Sequence, residues 1–347
     1  MKAINTIKGQ VYADDVGLIC PHEHLFLDMT YEAIEPQSQE EKALFTSEIK
    51  MEHLGVLRRN PYVLRTNLIL DDVEDAISES ECLLKYGCNL LLDLTSKGLG
   101  RDIKKLKEVS DRTELNIVAG CGLFVHDTIS AEYESKTSEE LAKWMIDEIQ
   151  NGIDGTDIKA GVIGEIGVSE RIYPIEERSL KAAAMANIKT GLPVFVHTYP
   201  WSRAGLEAIE ILLSSGVKAS DICICHLDVT FDYEYIKLAL DKGIYLEFDN
   251  IGKEFYFDAQ DGAFSGGPFE TDIARARMLK RLVAEGHADR LLVANDLCLK
   301  TMLHKYGGWG YDHIYKNFIP MLRMEGLEEE TIKQVINTNP RTFLFGQ

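Results

Sequence analysis

The sequence predicts a (β/α)8 barrel running through residues 1–347 as one domain. Two observations carry that prediction. Eight short, near-continuously apolar runs alternate with longer segments of helical periodicity, and polar residues suited to metal binding recur at the C-terminal ends of those runs. Continuous apolar runs suit parallel strands covered on both faces, whereas strands with one wet face alternate. Eight repeats of strand and helix favour a closed barrel over an open doubly wound sheet, which stays the alternative architecture for the same elements.

The first run, VGLIC (16–20), leads straight into PHEHLFL. The others are CNLLLDL (88–94), NIVAGCG (116–122), AGVIGEI (160–166), PVFVH (193–197), ICICH (222–226), IYLEFD (244–249) and RLLVAND (290–296). Between them, SEELAKWMIDEIQNG (138–152) and SLKAAAMANIKTG (179–191) place apolar residues at helical spacing and stop at Gly152 and Gly191, the residue type that most readily closes a helix. A long insert, residues 25–80, separates the first two strands and contains the acidic stretch EPQSQEEK; a lid and a dimer contact both fit it. A second insert, FYFDAQDGAFSGGPFET (255–271), follows the seventh strand, and its glycines and aromatics point to a mobile pocket wall. No linker, low-complexity tract or near-identical repeat divides the chain.

Composition narrows the partners. With 56 acidic against 37 basic residues the net charge is −19, which argues against nucleic acid and anionic membranes, since both reward clustered Lys and Arg. A small anionic substrate stays open, because it needs only one or two local cations. The seven cysteines are odd in number and irregularly spaced, as expected of free thiols in a reducing compartment. The opening MKAINTIKGQVYADD lacks the apolar core of a signal peptide, and no 18-residue apolar span occurs, so a cytoplasmic location is expected.

Barrel active sites are assembled at the C-terminal ends of the strands. There the first strand offers His22 and His24, the fourth Glu165, the fifth His197, the sixth His226 and the eighth Asp296. Residues i and i+2 of a regular strand share a face, so His22 and His24 face the barrel axis while Glu23 turns away. The intervals from 165 to 197 and from 197 to 226 each match about one βα unit. The interval from 226 to 296 fits two units, with the seventh strand contributing no ligand. Four imidazoles and two carboxylates converging on one mouth form a divalent-metal site rich enough for two ions, with Glu165 the natural bridge. His53, His287, His304 and His313 lie away from strand ends and read as surface or packing residues. His126, after the third strand, fits either a pocket wall or a purely structural place. Cys223 and Cys225 read as core thiols.

Several segments together resemble the phosphotriesterase-like family of the amidohydrolase superfamily. They are HEHLFLD (22–28), DLTSKGLGRD (93–102), KAGVIGEIG (159–167), PVFVHT (193–198), CHLD (225–228), FDNIGK (248–253), ADRLLVAND (288–296), GYDHI (310–314) and NPRTFL (339–344). The resemblance implies a (β/α)8 barrel with a binuclear centre and hydrolase activity. It implies that His22, His24 and Asp296 bind the more buried ion, that His197 and His226 bind the more exposed one, and that an acidic group bridges both. Zinc is the expected metal, and Mn or Co suits the same ligands. Dimerisation, common in the resembled family, is expected on that ground alone. One departure matters. The better-known phosphotriesterases and lactonases bridge their metals with a carboxylated lysine, and the ungapped position here is Gly164. Lys159 sits at the wrong end of the strand. A smaller branch resembles this chain in carrying glutamate in a GEIG- or AEIG-like segment, which assigns the bridge to Glu165. A one-residue offset reverses side-chain direction, so the strand must bulge or twist there, and glycine at 164 permits it.

The chemistry implied is attack by a metal-activated hydroxide, with Asp296 taking its proton. No nucleophile elbow or P-loop is present. Deaminases of the superfamily commonly place a glutamate just after the fifth-strand histidine; here Thr198, Tyr199, Pro200 and Trp201 follow His197. The branch with an IGK-like segment and a following tyrosine includes sugar lactonases, some acting on phosphorylated sugars. By that resemblance Lys253, Tyr256 and Arg275 would bind a phosphate or carboxylate of the substrate; salt bridging to the many acids is the competing role. The insert at 255–271 departs from the shorter loop expected of phosphorylated-lactone enzymes. The sequence therefore predicts a hydrolase of lactones or carboxylic esters acting on a small molecule. Phosphotriester or phosphodiester hydrolysis is the alternative, and a metal-vacant binding barrel the non-enzymatic one.

Overall fold

All eight apolar runs form strands in the computed structural model, which describes residues 2–256 and 267–346. They are β1 (Leu18–Glu23), β2 (Cys88–Asp93), β3 (Asn116–Cys121), β4 (Val162–Val168), β5 (Val194–Thr198), β6 (Ile222–Ile224), β7 (Tyr245–Phe248) and β8 (Leu291–Val293). Each lies parallel beside its sequence neighbour, in unbroken order from β1 to β8. At the seam the Asp296 amide donates to the His22 carbonyl at 3.3 Å. The result is a (β/α)8 barrel. Among the described residues no helix is long and apolar enough to cross a membrane.

Strand periodicity divides the apolar residues into two cores. Ile19, Leu90, Leu92, Val118, Val162, Phe195, Cys223, Tyr245 and Leu292 fill the barrel interior. Their strand neighbours, among them Leu91, Ile117, Ile163, Val194 and Val196, face outward onto the helices. Those helices include α1 (Val73–Leu84), α2 (Ile103–Arg112), α3 (Ser138–Gln150), α4 (Pro174–Thr190), α5 (Ala204–Ser214), α6 (Tyr233–Leu240) and α7 (Asp272–Ala284). α3 begins at its Thr137/Glu140 capping box, and α4 stops at Gly191, whose φ of +71° only glycine adopts freely. Below the strands, Phe343 plugs the barrel against Phe195 and Tyr245, at ring separations of 5.2 and 4.7 Å. An N-terminal hairpin (Ala3–Thr6 with Gly9–Tyr12) adds Ile4 to the same floor. The NPRTFL segment thus has a structural use: Asn339 bonds the Ala288 and Leu291 carbonyls and Arg341 those of Val16 and Gly17.

The strands depart from a period of two where the polar residues begin. In β1 the pairing with β2 slips between Cys20 and Glu23, so three residue steps oppose two. Ile19 faces inward and Cys20 outward, and the slip brings His22 and His24 inward in turn. In β4 the pairing with β5 slips between Ile163 and Ile166, at the cis Gly164–Glu165 peptide, turning Glu165 inward. This is the irregularity that the one-residue offset requires. Gly164 has φ +132°, and a Cβ there would lie 2.5 Å from the Phe195 carbonyl oxygen. Gly164→Ala is therefore expected to cost about 2–4 kcal/mol, read by urea denaturation. An unchanged midpoint would show that the strand can be rebuilt without glycine.

Beneath the β2 and β3 loops, Arg101 lies buried in a bidentate pair with Glu148 at 2.7 and 2.9 Å and donates to the Gly120 carbonyl. Truncating one partner strands the other charge. Arg101→Met is expected to lose about 3–5 kcal/mol, and adding Glu148→Leu should restore much of it; equal stability of single and double variants would contradict this.

Candidate metal centre

Six predicted side chains meet at the C-terminal mouth. Glu165 is at the middle. Its Oε1 lies 3.4 Å from His22 Nε2, 3.1 Å from His226 Nε2 and 3.6 Å from His197 Nδ1, and its Oε2 lies 3.7 Å from His24 Nε2. Asp296 presents Oδ1 to His24 Nε2 at 3.0 Å and to His22 Nε2 at 3.6 Å. Five of the six fall into two triads, His22–His24–Glu165 and Glu165–His197–His226, which share the glutamate, and Asp296 lies against the first. His22 and His24 are the more deeply buried pair, at 0% and 2% exposure against 8% and 5% for His197 and His226.

Two of these residues hold unusual backbone conformations. His226 has φ +68° and Asp296 φ +46°, a region that side-chain-bearing residues rarely occupy unless their surroundings enforce it. The enforcement is visible. The His226 amide donates to both Asp249 carboxylate oxygens, at 3.0 and 3.1 Å. Asp296 is held from both sides by Glu23, which accepts from the Asn295 amide and side chain and from the Leu297 amide. Glu23 faces away from the donor cluster, as strand geometry predicts, yet it clamps the turn that carries Asp296.

A second layer of acceptors sets the ring orientations. Glu247 lies 2.9 Å from His22 Nδ1, Thr95 Oγ1 2.8 Å from His24 Nδ1, and Asp249 3.0 Å from His226 Nδ1. Such partners fix the ring orientation, so that the other nitrogen would present its lone pair to a bound metal ion. By sequence alone the seventh strand is assigned no ligand, which leaves out Glu247 and Asp249. The signal was present: in IYLEFD two acids stand at i and i+2 inside an apolar strand, the spacing that makes His22 and His24 conspicuous.

The donor set fits a cation. His22 Nε2 is buried without a hydrogen-bond partner, and His197 Nδ1 and His226 Nε2 lie 2.9 Å apart with both nitrogens within 3.6 Å of Glu165 Oε1, a mixed imidazole and carboxylate set that suits a divalent ion. Burial works against ionising Glu165, but the histidines around it outweigh that and hold its carboxyl well below the usual range. Burial likewise opposes ionisation of Asp296, and Lys253 and the histidines overcome it. Glu247 is different: burial pushes it up to about 7.

The proposed substrate-binding residues separate. Lys253 lines the cleft, and its ammonium pairs with Asp296 Oδ2. Arg275, expected at the substrate, is instead fully buried. Its guanidinium is spent on Asp228 at 3.0 Å, Asp272 at 2.9 Å and the Lys253 carbonyl at 3.1 Å, so it braces the loop after β7 and meets no ligand. Tyr256 is 62% exposed and does not border the cleft; the expectation for it fails too. His126 stacks on Tyr173 at 4.3 Å, and His313 is buried against Asp272 at 2.7 Å.

The cleft above the donors, about 600 Å³ with its open mouth, has mainly apolar and aromatic walls. Leu27, Met29, Tyr31 and Tyr62 come from the 25–80 insert and cover one side. Phe255 and Phe269 form another wall. They belong to the second insert, of which residues 257–266 lie outside the described residues. Lys253 is the one lysine or arginine among the described lining residues.

Comparison with known proteins agrees with this geometry. The sequence is 34% identical over 343 residues to the N-acetyltaurine hydrolase of Danio rerio, covering 98% of this chain and 97% of that protein. The fold superposes on a resiniferatoxin-binding protein from Rhodobacter sphaeroides with a TM-score of 0.95 at 33% identity, covering 99% of this chain and 95% of the other. A lactonase from Listeria monocytogenes matches with a TM-score of 0.78 at 25% identity, covering 99% of each chain. The profile of the Phosphotriesterase family spans residues 2–344. The chain belongs to the phosphotriesterase family and is a hydrolytic enzyme.

Proposed function

We propose that this hydrolase uses two divalent metal ions to cleave a carboxylic acyl bond of a small, largely apolar molecule, with a lactone or carboxylic ester as the first candidate. The observation that carries the reading is the pair of donor triads sharing Glu165 at the floor of an aromatic-walled cleft. His22 and His24 with Asp296 would hold one ion, His197 and His226 the other, and Glu165 would contact both. Zinc suits this mixed imidazole and carboxylate set, as do manganese and cobalt. When bound, such ions bring a water toward ionisation near neutral pH and polarise the oxygen of the scissile group.

The protein's own groups do the rest. Thr95, Glu247 and Asp249 hold three imidazoles in place. Asp296, kept ionised beside Lys253, takes the proton released as water attacks and passes it to the leaving group. Phe124, Phe255, Phe269 and Leu299 exclude bulk water and seat the apolar part of the substrate. A sugar lactone with an anionic group fits less well, because Lys253 already has Asp296 as its counter-charge. The name of the zebrafish relative favours a second reading, hydrolysis of an N-acyl amide. The alternative of phosphotriester hydrolysis would use the same groups.

Metal analysis by mass spectrometry should find about two ions per chain, falling to one or fewer in Glu165→Ala; an unchanged stoichiometry would remove Glu165 from the bridge. In a substrate panel, lactones, aryl esters and N-acyl amides should outpace phosphotriesters, with activity lost on chelation and regained on adding Zn. Triesters turned over faster by orders of magnitude would overturn the acyl assignment. Lys253→Ala should lower kcat for neutral and anionic substrates alike, by roughly 10-fold or more, because the lysine touches the proton acceptor. A KM effect confined to anionic substrates would restore its role as an anion-binding group.

A further inference from the structure

Asn250 follows β7 and borders the cleft beside His226 and Lys253, with only 3% of its surface exposed. Its side-chain nitrogen donates to Asp228 Oδ1 and to Asp249 Oδ1, each at 2.8 Å, and its backbone amide to Asp228 Oδ2 at 3.0 Å. Those two carboxylates settle which end of the amide is the nitrogen, since a reversed group would press its oxygen against two acceptors. The carboxylates are themselves held, Asp228 by Arg275 at 3.0 Å and Asp249 by His226 at 3.0 Å. Asn250 is thereby locked with both hydrogens used inside the protein. Its Oδ1 takes no donor from any described residue and is not among the buried, solvent-excluded atoms. The acceptor therefore opens on the cleft.

We infer that Asn250 is a specificity-determining residue whose Oδ1 accepts a hydrogen bond from a substrate N–H, which makes a secondary N-acyl amide the substrate class this wall is built for. The inference rests on the acyl-hydrolase reading above and, within it, deepens the second candidate, the N-acyl amide, over the ester. Esters and lactones carry no hydrogen on the heteroatom of the scissile bond, whereas a secondary amide carries one. A site with a fixed acceptor discriminates strongly against the analogue that lacks the matching donor. In the reaction the C–N bond breaks and a C–O bond forms from water. One water proton, taken by Asp296, ends on the departing amine nitrogen, and the N–H held by Asn250 stays on that nitrogen throughout.

Three chromogenic substrates test this on the Zn-loaded enzyme: N-(4-nitrophenyl)acetamide, its N-methyl derivative and 4-nitrophenyl acetate. The wild-type kcat/KM for the N–H anilide should exceed that for the N-methyl compound by about 100-fold or more. In Asn250→Ala the ratio should collapse to within about fivefold, because the N–H substrate loses most. The ester, which lacks the donor, should fall no further than the N-methyl compound, with bound metal retained. A wild-type ratio near one overturns the inference without any variant, and so remains decisive if Asn250→Ala fails to fold. Equal losses on anilide and ester, or a fall in bound metal, overturn it as well, because Asn250 would then act through Asp249 and His226. Acyl turnover without N–H preference sinks this inference alone. Turnover of phosphotriesters with none of the acyl compounds sinks the acyl reading with it.

Discussion

A carboxylate buried among four imidazoles is the constraint around which the barrel mouth is arranged. Glu165 has almost no contact with solvent, and an isolated carboxylate in such a place would take up a proton rather than stay charged. It stays ionised because His22, His197 and His226 direct nitrogens at it from three different strands. Each must therefore point inward at one level of the barrel. Regular alternation delivers this for His197, which follows the inward Phe195 by two residues in β5. On the other strands the phase is reset, by a slipped register in β1 and β4 and by left-handed backbone at His226 and Asp296.

Those departures need support, and the support is a second shell of acids. Asp249 takes both the backbone amide and the ring of His226. Glu23 takes the amides on either side of Asp296. Beyond them Asp228, Arg275, Asp272 and His313 continue as one buried chain of hydrogen bonds and ion pairs behind the loop after β7. Arg275 is thus remote from any ligand yet tied to the carbonyl of Lys253. The acidic excess in the composition is partly explained here: a centre built for cations is wrapped in carboxylates at two depths.

Much of this is legible in the sequence. All eight strands, the helix stops expected at Gly152 and Gly191 (the helices close at Gln150 and Thr190) and the six converging side chains follow from apolar runs, helix stop signals and strand-end polarity, because those are short-range consequences of burial. The slip at Gly164 was legible from a one-residue offset in a motif. Glu247 and Asp249 were missed since an acid in an apolar strand gives no hint of its partner, which lies on another strand. Arg275 and Tyr256 were misplaced for a related reason. Sequence proximity to a binding loop says nothing about whether a guanidinium turns toward the cleft or into the protein, and here Asp228 and Asp272 decide it. The N-terminal hairpin escaped notice because its four-residue strands carry too few residues for a period to emerge.

The polarity of the cleft follows from the same arrangement. A wall made of Lys253 alone would attract anions, but Asp296 lies against it, and the pair presents little net charge to a ligand. Asn250 differs in kind, because its donors are consumed by Asp228 and Asp249 and only an acceptor is left facing the ligand. Around these two polar points the surfaces are aromatic or aliphatic. Such a cleft selects by shape and by one hydrogen-bond direction rather than by charge. A ligand with a fixed anionic group would meet no unpaired lysine or arginine among the described lining residues, so the groups lining the mouth, more than the donors at its floor, set what this cleft accepts.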